Sequence, residues 1–310
     1  MIQYFFNKEG QTLEISKPED GTWINLLPPF KEEEFIEISE ELDIPVKFLR
    51  DSLDIDERPR FEKEDNTRFI VLKTPTENNS FNESDAFYIT IPICIILTHN
   101  QIVTVNSFDN AAIKKFLNTF QNRHPDKKNM MVLKIVEKIT QNFMEYLKEI
   151  NQKTNQYEQR LYDSYKNEQL LNLMRIQKSL VYFITSLRTN EMMLMKLSRT
   201  DFLGLTDEES DYLEDLLVDV SQALEMANIY SNTLRSTMDA FASIINNNMN
   251  TVMKRLTSIT LIISIPSLVA AVYGMDVHTP YQQSHNAFYV PVIISLLFSM
   301  FLSWYFLKKK

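Results

Sequence analysis

Two stretches near the C-terminus carry no charged residue: LTSITLIISIPSLVAAVY from Leu256 to Tyr273, and FYVPVIISLLFSMFLSWYFL from Phe288 to Leu307. The hydrocarbon core of a bilayer is about 30 Å thick and an α-helix rises about 1.5 Å per residue, so each stretch is long enough to cross it. Buried core helices can also be apolar, but two such runs in succession point to a pair of membrane spans. Lys254 and Arg255 precede the first run, Lys308, Lys309 and Lys310 follow the second, and the connecting GMDVHTPYQQSHNA contains neither Lys nor Arg. The positive-inside rule then puts both flanks in the cytoplasm and the loop outside. The residues before the first span hold no comparable apolar run and are expected in the cytoplasm as well.

Two helices from one chain cannot shield a polar path from lipid on all sides, so conduction would require an oligomer. Met253, Leu256, Thr260, Ser264, Ser267 and Ala271 follow one another at steps of three and four and share one helical face. Its three hydroxyls suit the lining of a pore. They equally suit bonding back to their own helix or packing against a neighbour.

The preceding residues divide by texture. Short apolar or alternating runs (MIQYFFNK, TLEIS, TWINLL, NTRFIVLKT, AFYITIPICIILTHNQIVTVNS) read as strands, and KEEEFIEISEELDIPVKFLRDSLD and NAAIKKFLNTFQNR as helices. This mixture predicts a cytoplasmic α/β layered domain over residues 1–125. Residues 126–205 are expected to form two long antiparallel helices, 129–165 and 167–200. Thr206 and Glu209 have capping-box spacing, and no glycine follows until Gly274, so one helix is predicted from Thr206 to Tyr273. It comprises a stalk over 206–255 and the first span over 256–273. Residues 274–287 form the outer loop, 288–307 the second span and 308–310 a basic cytoplasmic tail. Along the stalk Leu213, Leu217, Val220, Leu224, Ala227, Ser231, Leu234, Met238, Phe241 and Ile245 keep four-three spacing, a coiled-coil seam that could face other subunits, the preceding helix pair, or both. Such a stalk could carry a cytoplasmic rearrangement to the bilayer.

Charge and cysteine content exclude several functions. The net charge is −9, with a pI near 5.1, which argues against a nucleic-acid partner. Residues 31–65 hold 14 Asp and Glu against 6 Lys and Arg, which reads as a solvated face or as a weak oxygen-lined site for divalent cations at a subunit boundary. The single cysteine, Cys94, has no disulfide partner, and the four histidines lack metal-ligand spacing. With no phosphate loop and no nucleophile motif, the chain does not read as an enzyme.

Tyr273-Gly274-Met275-Asp276, at the end of the first span, resembles the Tyr/Phe-Gly-Met-Asn signature of the CorA-type divalent metal ion transporters. Asn250-Thr251-Val252-Met253-Lys254-Arg255-Leu256-Thr257 is similar to the family's N-x-V-M-K-x-L-T segment at the start of the pore helix. Asp56-Glu57-Arg58-Pro59-Arg60-Phe61-Glu62 and Phe69-Ile70-Val71-Leu72-Lys73 resemble recurring family segments at the same depth of the chain.

The resemblance implies an α+β membrane protein that assembles as a funnel-shaped homopentamer in the bilayer of the bacterial cytoplasmic (inner) membrane. It implies a channel carrying hydrated Mg2+, gated by cytosolic divalent cations. The carry-over makes Met253 and Leu256 a hydrophobic gate, and Thr260, Ser264, Ser267 and Ala271 the lining. Gly274, Met275 and Asp276 form the outer ion site. Asp215 becomes a regulatory metal ligand, bridged to Glu77, Glu83 or Asp85 of the next subunit. The family's asparagine is Asp276 here, so the outer ring becomes carboxylate and selectivity for Mg2+ over Co2+, Ni2+ or Zn2+ is open. Transport of one of those metals is the second reading. A membrane-anchored coiled-coil structural or signalling protein is the third.

Overall fold

The β-branched and aromatic runs form the strands. In the computed structural model, which describes residues 2–8, 11–15, 22–27, 32–78, 86–106, 113, 128–163, 167–275 and 289–308, seven strands make one sheet. They are β1 (Ile2–Lys8), β2 (Gln11–Ile15), β3 (Trp23–Leu26), β4 (Arg60–Glu64), β5 (Thr67–Glu77), β6 (Tyr88–Leu97) and β7 (Ile102–Asn106), in the order β2-β1-β3-β7-β6-β5-β4. Only the β3–β7 pair is parallel. The β5–β6 ladder has Val71 opposite Cys94 and Lys73 opposite Pro92. Among the described residues β4 pairs with β5 only as far as Val71 and β7 with β6 only from Ile93, so neither Pro75 nor Pro92 removes a donor from those two ladders.

Period-two alternation gives the sheet two faces. Ile24, Leu26, Phe69, Val71, Cys94, Ile96, Val103 and Val105 meet α1 (Glu32–Leu42) and α2 (Val46–Asp51) through Phe35, Ile38, Leu42, Phe48 and Leu49. The sequence spacing predicts one continuous helical stretch here. The two helices separate at Asp43, whose φ of 52° lies in the left-handed region, just before Pro45. The other face packs against α3 (Lys128–Asp163) and α4 (Asn167–Ser198), giving three layers. Phe143 of α3 meets Phe183 of α4 edge to face at 5.3 Å. The helix expected at NAAIKKFLNTFQNR lies outside the described residues, apart from buried Ile113.

Asn190 joins α4 to the sheet. Beyond the end of β4, the Lys73 N–H donates to Asn190 Oδ1 at 2.9 Å and Asn190 Nδ2 donates to the Lys73 carbonyl at 2.8 Å. One side-chain amide thus replaces the missing strand partner. Gly204, at φ +65°, turns the chain after α4, and Arg68 and Asn129 both donate to the Leu203 carbonyl at 3.1 Å. The expected capping box then starts α5 (Asp207–Tyr273): Thr206 N–H donates to Glu209 Oε2 at 3.0 Å, and Glu209 N–H to Thr206 Oγ1 at 3.4 Å. α6 (Tyr289–Lys308) follows.

The chain divides into two compact units, Met1–Ser236 and Thr237–Lys310, and α5 contributes to both. In the first unit Leu213, Val220, Ala227 and Leu234 are buried at every seventh position, as the seam requires. Its second line is displaced by one residue: Leu216 and Ala223 are buried, while Leu217 and Leu224 are half-buried. Adjacent apolar residues let two seams of period 3.5 share one line, so spacing alone could not choose between them.

Asn190→Ala should strand a buried N–H and a carbonyl of β5 and lower stability by about 1–3 kcal/mol. Thermal unfolding of the detergent-solubilised protein, followed by circular dichroism, checks this; an unchanged midpoint would mean that the clamp contributes nothing.

Candidate functional site

At 100° per residue, the apolar half of α5 presents two opposite faces. Ser258, Ile262, Ile265, Pro266 and Val269 are half-buried on one, and Thr260, Ser264, Ser267 and Ala271 are exposed on the other. α6 packs on the first: its inward residues include Pro291, Ser295, Ser299 and Leu302, and Ser299 Oγ donates to the Ile262 carbonyl at 3.2 Å. The hydroxyl stripe is therefore off the Ser299 contact, with Ser264 and Ser267 bordering a groove that Leu302 of α6 also lines. Met253 (52% exposed) and Leu256 (57%) continue the same open face toward the N-terminal end of α5.

Each hydroxyl of the stripe bonds back to its own helix. Thr260 Oγ1 donates to the Leu256 carbonyl at 2.9 Å, Ser264 Oγ to that of Thr260 at 2.7 Å, and Ser267 Oγ to that of Ile263 at 3.2 Å. The back-bonding alternative is thus what the helix does. Committing the proton inward leaves the oxygen as an acceptor on the exposed face. Such a row suits a species that presents hydrogens, and the hydration shell of a cation does so because its water oxygens point at the metal.

The signature begins where α5 ends. Gly274 N–H donates to the Ala270 carbonyl at 2.9 Å, and a Cβ at Gly274 would lie 3.2 Å from that same oxygen. Glycine permits this tight closure, and a side chain there would need the Ala270 carbonyl to give by a few tenths of an ångström. Met275 is 60% exposed, and Asp276 lies outside the described residues.

Asp215 is exposed on α5 and Glu77 is exposed at the end of β5, while Glu83 and Asp85 lie outside the described residues. Among the described residues no group of three or more His, Cys, Asp or Glu is arranged to hold a metal. In the acidic stretch the chain supplies its own cations. Arg60 donates from Nε to Glu57 at 2.8 Å, from Nη2 to Asp51 at 2.7 Å and from Nη1 to Glu62, and its guanidinium lies 5.1 Å from the Phe69 ring centre. Lys47 pairs with Glu62 at 3.0 Å, and hydrogen bonds from Lys47 and Arg60 hold the Glu62 carboxyl below its ordinary range against burial. Lys73 Nζ donates to the Ile55 carbonyl, and burial holds this ammonium below the usual lysine value despite nearby Asp56, Asp54 and Glu57. Sequence reasoning missed both roles. The available signal was a lone lysine inside the buried strand run FIVLKT and an arginine framed by acids in DERPRFE.

The model of the CorA-like Mg2+ transporter protein family matches residues 18–309, and the chain belongs to this family. It is 28% identical over 290 residues to the cobalt/magnesium transport protein CorA of Methanocaldococcus jannaschii, covering 92% of this chain and 89% of that protein. It is 21% identical over 295 residues to the cobalt/magnesium transport protein CorA of Thermotoga maritima, covering 93% and 83% respectively. The solved complete structure of the CorA magnesium transporter from Methanocaldococcus jannaschii superposes with a TM-score of 0.85 over 98% of this chain and 96% of that one, at 24% identity, so the fold is shared along its length.

Proposed function

We propose that the chain is the subunit of a homopentameric channel that carries hydrated Mg2+ across the cytoplasmic membrane and closes when cytosolic divalent cation binds. The observation that carries this reading is the row of acceptor oxygens on Thr260, Ser264 and Ser267, on the exposed face of α5 off the Ser299 contact. Five such faces would enclose a path lined by groups that accept hydrogen bonds from hydration water without stripping it, which suits an ion that dehydrates reluctantly. Met253 and Leu256 form the dewetting gate, and both termini lie in the cytoplasm. Co2+ is the second cargo, favoured by the cobalt/magnesium naming of two relatives.

Purified protein in liposomes, with Mg2+ and then Co2+, Ni2+ or Zn2+ as the sole divalent ion, should pass Mg2+. A Met253→Ser/Leu256→Ser double variant should raise the basal leak several-fold. A folded double variant with unaltered leak would place the constriction elsewhere, and a wild type passing none of the four ions would return the chain to the reading of a non-conducting anchor.

In this reading Gly274, Met275 and Asp276 form the outer mouth. Up to five carboxylates attract any divalent ion, whereas discrimination depends on the fit of a rigid hydration shell, which added charge does not improve. Protons compete with metal for carboxylates, so apparent affinity should fall as pH drops. Asp276→Asn should weaken Co2+ and Zn2+ binding more than Mg2+ binding and flatten that pH dependence. Identical ion preference and pH response would remove Asp276 from the mouth.

Mg2+ bridging Asp215 to Glu77, Glu83 or Asp85 of the adjacent subunit would neutralise repelling carboxylates and favour the assembly in which they are close. A ligand biases the closed state only by binding it better, so loss of the bridge shifts the population towards open. Millimolar Mg2+ should protect the cytoplasmic part from protease, and Asp215→Ala should blunt that protection; equal protection in both proteins would rule Asp215 out as the sensor.

A further inference from the structure

Pro266 lies inside α5, and a proline has no N–H to give the carbonyl four residues earlier. That carbonyl belongs to Ile262, and it is the oxygen to which Ser299 of α6 donates at 3.2 Å. The next carbonyl, of Ile263, receives the Ser267 hydroxyl of its own helix at 3.2 Å. The carbonyl that the proline leaves without its backbone donor therefore has a side-chain donor, and it comes from the neighbouring helix.

The contact surface on α6 makes this donor possible. Ser295 and Ser299 are four residues apart on the inward face, where the short serine side chain leaves room for a hydroxyl to reach the backbone of α5. Ser295 uses its own hydroxyl within α6, donating to the Val292 carbonyl at 2.9 Å, whereas Ser299 reaches across. The Ile262 carbonyl lies on the α6-facing side of α5, opposite the hydroxyl stripe.

We infer that Ser299 is a positioning residue for conduction: by supplying the hydrogen bond that Pro266 removes, it fixes the rotation of α5 against α6 and so keeps Thr260, Ser264 and Ser267 on the opposite, open face. In hydrocarbon no water can take its place. Without Ser299 the orphaned carbonyl is satisfied best by turning toward an aqueous lumen, and that rotation carries the hydroxyl stripe out of line. The inference rests on the channel reading for its consequence, although the bond itself does not.

The test is a double-mutant cycle in lipid nanodiscs and liposomes, using Ser299→Ala, Ser299→Thr, Pro266→Ala and Pro266→Ala/Ser299→Ala. Alanine at 266 restores the missing backbone N–H, so Ile262 no longer needs Ser299. Ser299→Ala should speed deuterium exchange of peptides from residues 256–273 and lower Mg2+ flux, each by roughly threefold, the equilibrium shift typical of one interhelical hydrogen bond in a membrane. Ser299→Thr should restore both, and in the Pro266→Ala background the second substitution should change neither. Unchanged exchange in Ser299→Ala, or an equal loss in both backgrounds, overturns the inference. Exchange reports the bond whether or not ions pass, so a wild type without flux would defeat the channel reading and leave the hydrogen bond separately tested.

Discussion

A backbone carbonyl in hydrocarbon would have no water to turn to, and the hydrogen bonds of the second unit fit that constraint. Residues 256–273 remain helical through Pro266, and Ser299 donates to the Ile262 carbonyl that the proline leaves without its backbone donor. Thr257, Ser258, Thr260 and Ser264 also donate to carbonyls one turn back. The same donations have a second effect. They remove the hydroxyl proton from the exposed surface, so a segment with no charged side chain carries a row of acceptors. Structural satisfaction and the capacity to interact with hydration water come from one set of bonds.

The first unit handles charge in a comparable way. Fourteen acids in residues 31–65 would repel one another if all were left in solvent. Arg60 binds three of them, and Lys47 reinforces Glu62. These ion pairs are partly exposed and add little stability individually. Arg60 has a larger structural part: bound to Asp51, Glu57 and Glu62 together, it fastens α2, the following loop and β4 at one point. This arrangement leaves less of the acidic stretch open to metal than its sequence suggests.

How far the chain could be read beforehand varied with the kind of information required. The pattern of period two located β5 and β6, and the glycine-free run after Thr206 located α5, because each depends on local properties that many residues repeat. The capping box at Thr206 and Glu209 was equally legible, since both partners are three residues apart. Other features depended on choices that local spacing does not make. Leu216 beside Leu217, and Ala223 beside Leu224, permit two seams, and tertiary packing selected the first. Asp43 breaks α1 from α2 with a left-handed φ that no aspartate announces. Short, polar β4 carries little apolar signal of its own, and its pairing with β5 shows it to be a strand. Among the site residues, Met253, Leu256, Thr260, Ser264, Ser267 and Ala271 share a face by spacing, and the position of α6 on the opposite side could not be known without Ser299 and Ile262 in contact.

In the proposed channel, the relation between the hydroxyl stripe and Asp276 would bear most on selectivity. Neutral acceptors interact with hydration water, and their attraction for an ion depends on how well the shell fits. A carboxylate acts on the ion's charge, which Mg2+, Co2+, Ni2+ and Zn2+ share. A path with both kinds of group in series would therefore separate two tasks: carboxylates at the mouth concentrate divalent over monovalent cations, and the stripe discriminates among divalent ions by the rigidity of their shells. An asparagine at the mouth would leave both tasks to neutral groups. In such a path the aspartate would raise the demand on Thr260, Ser264 and Ser267, and with it the importance of holding α5 at one rotation.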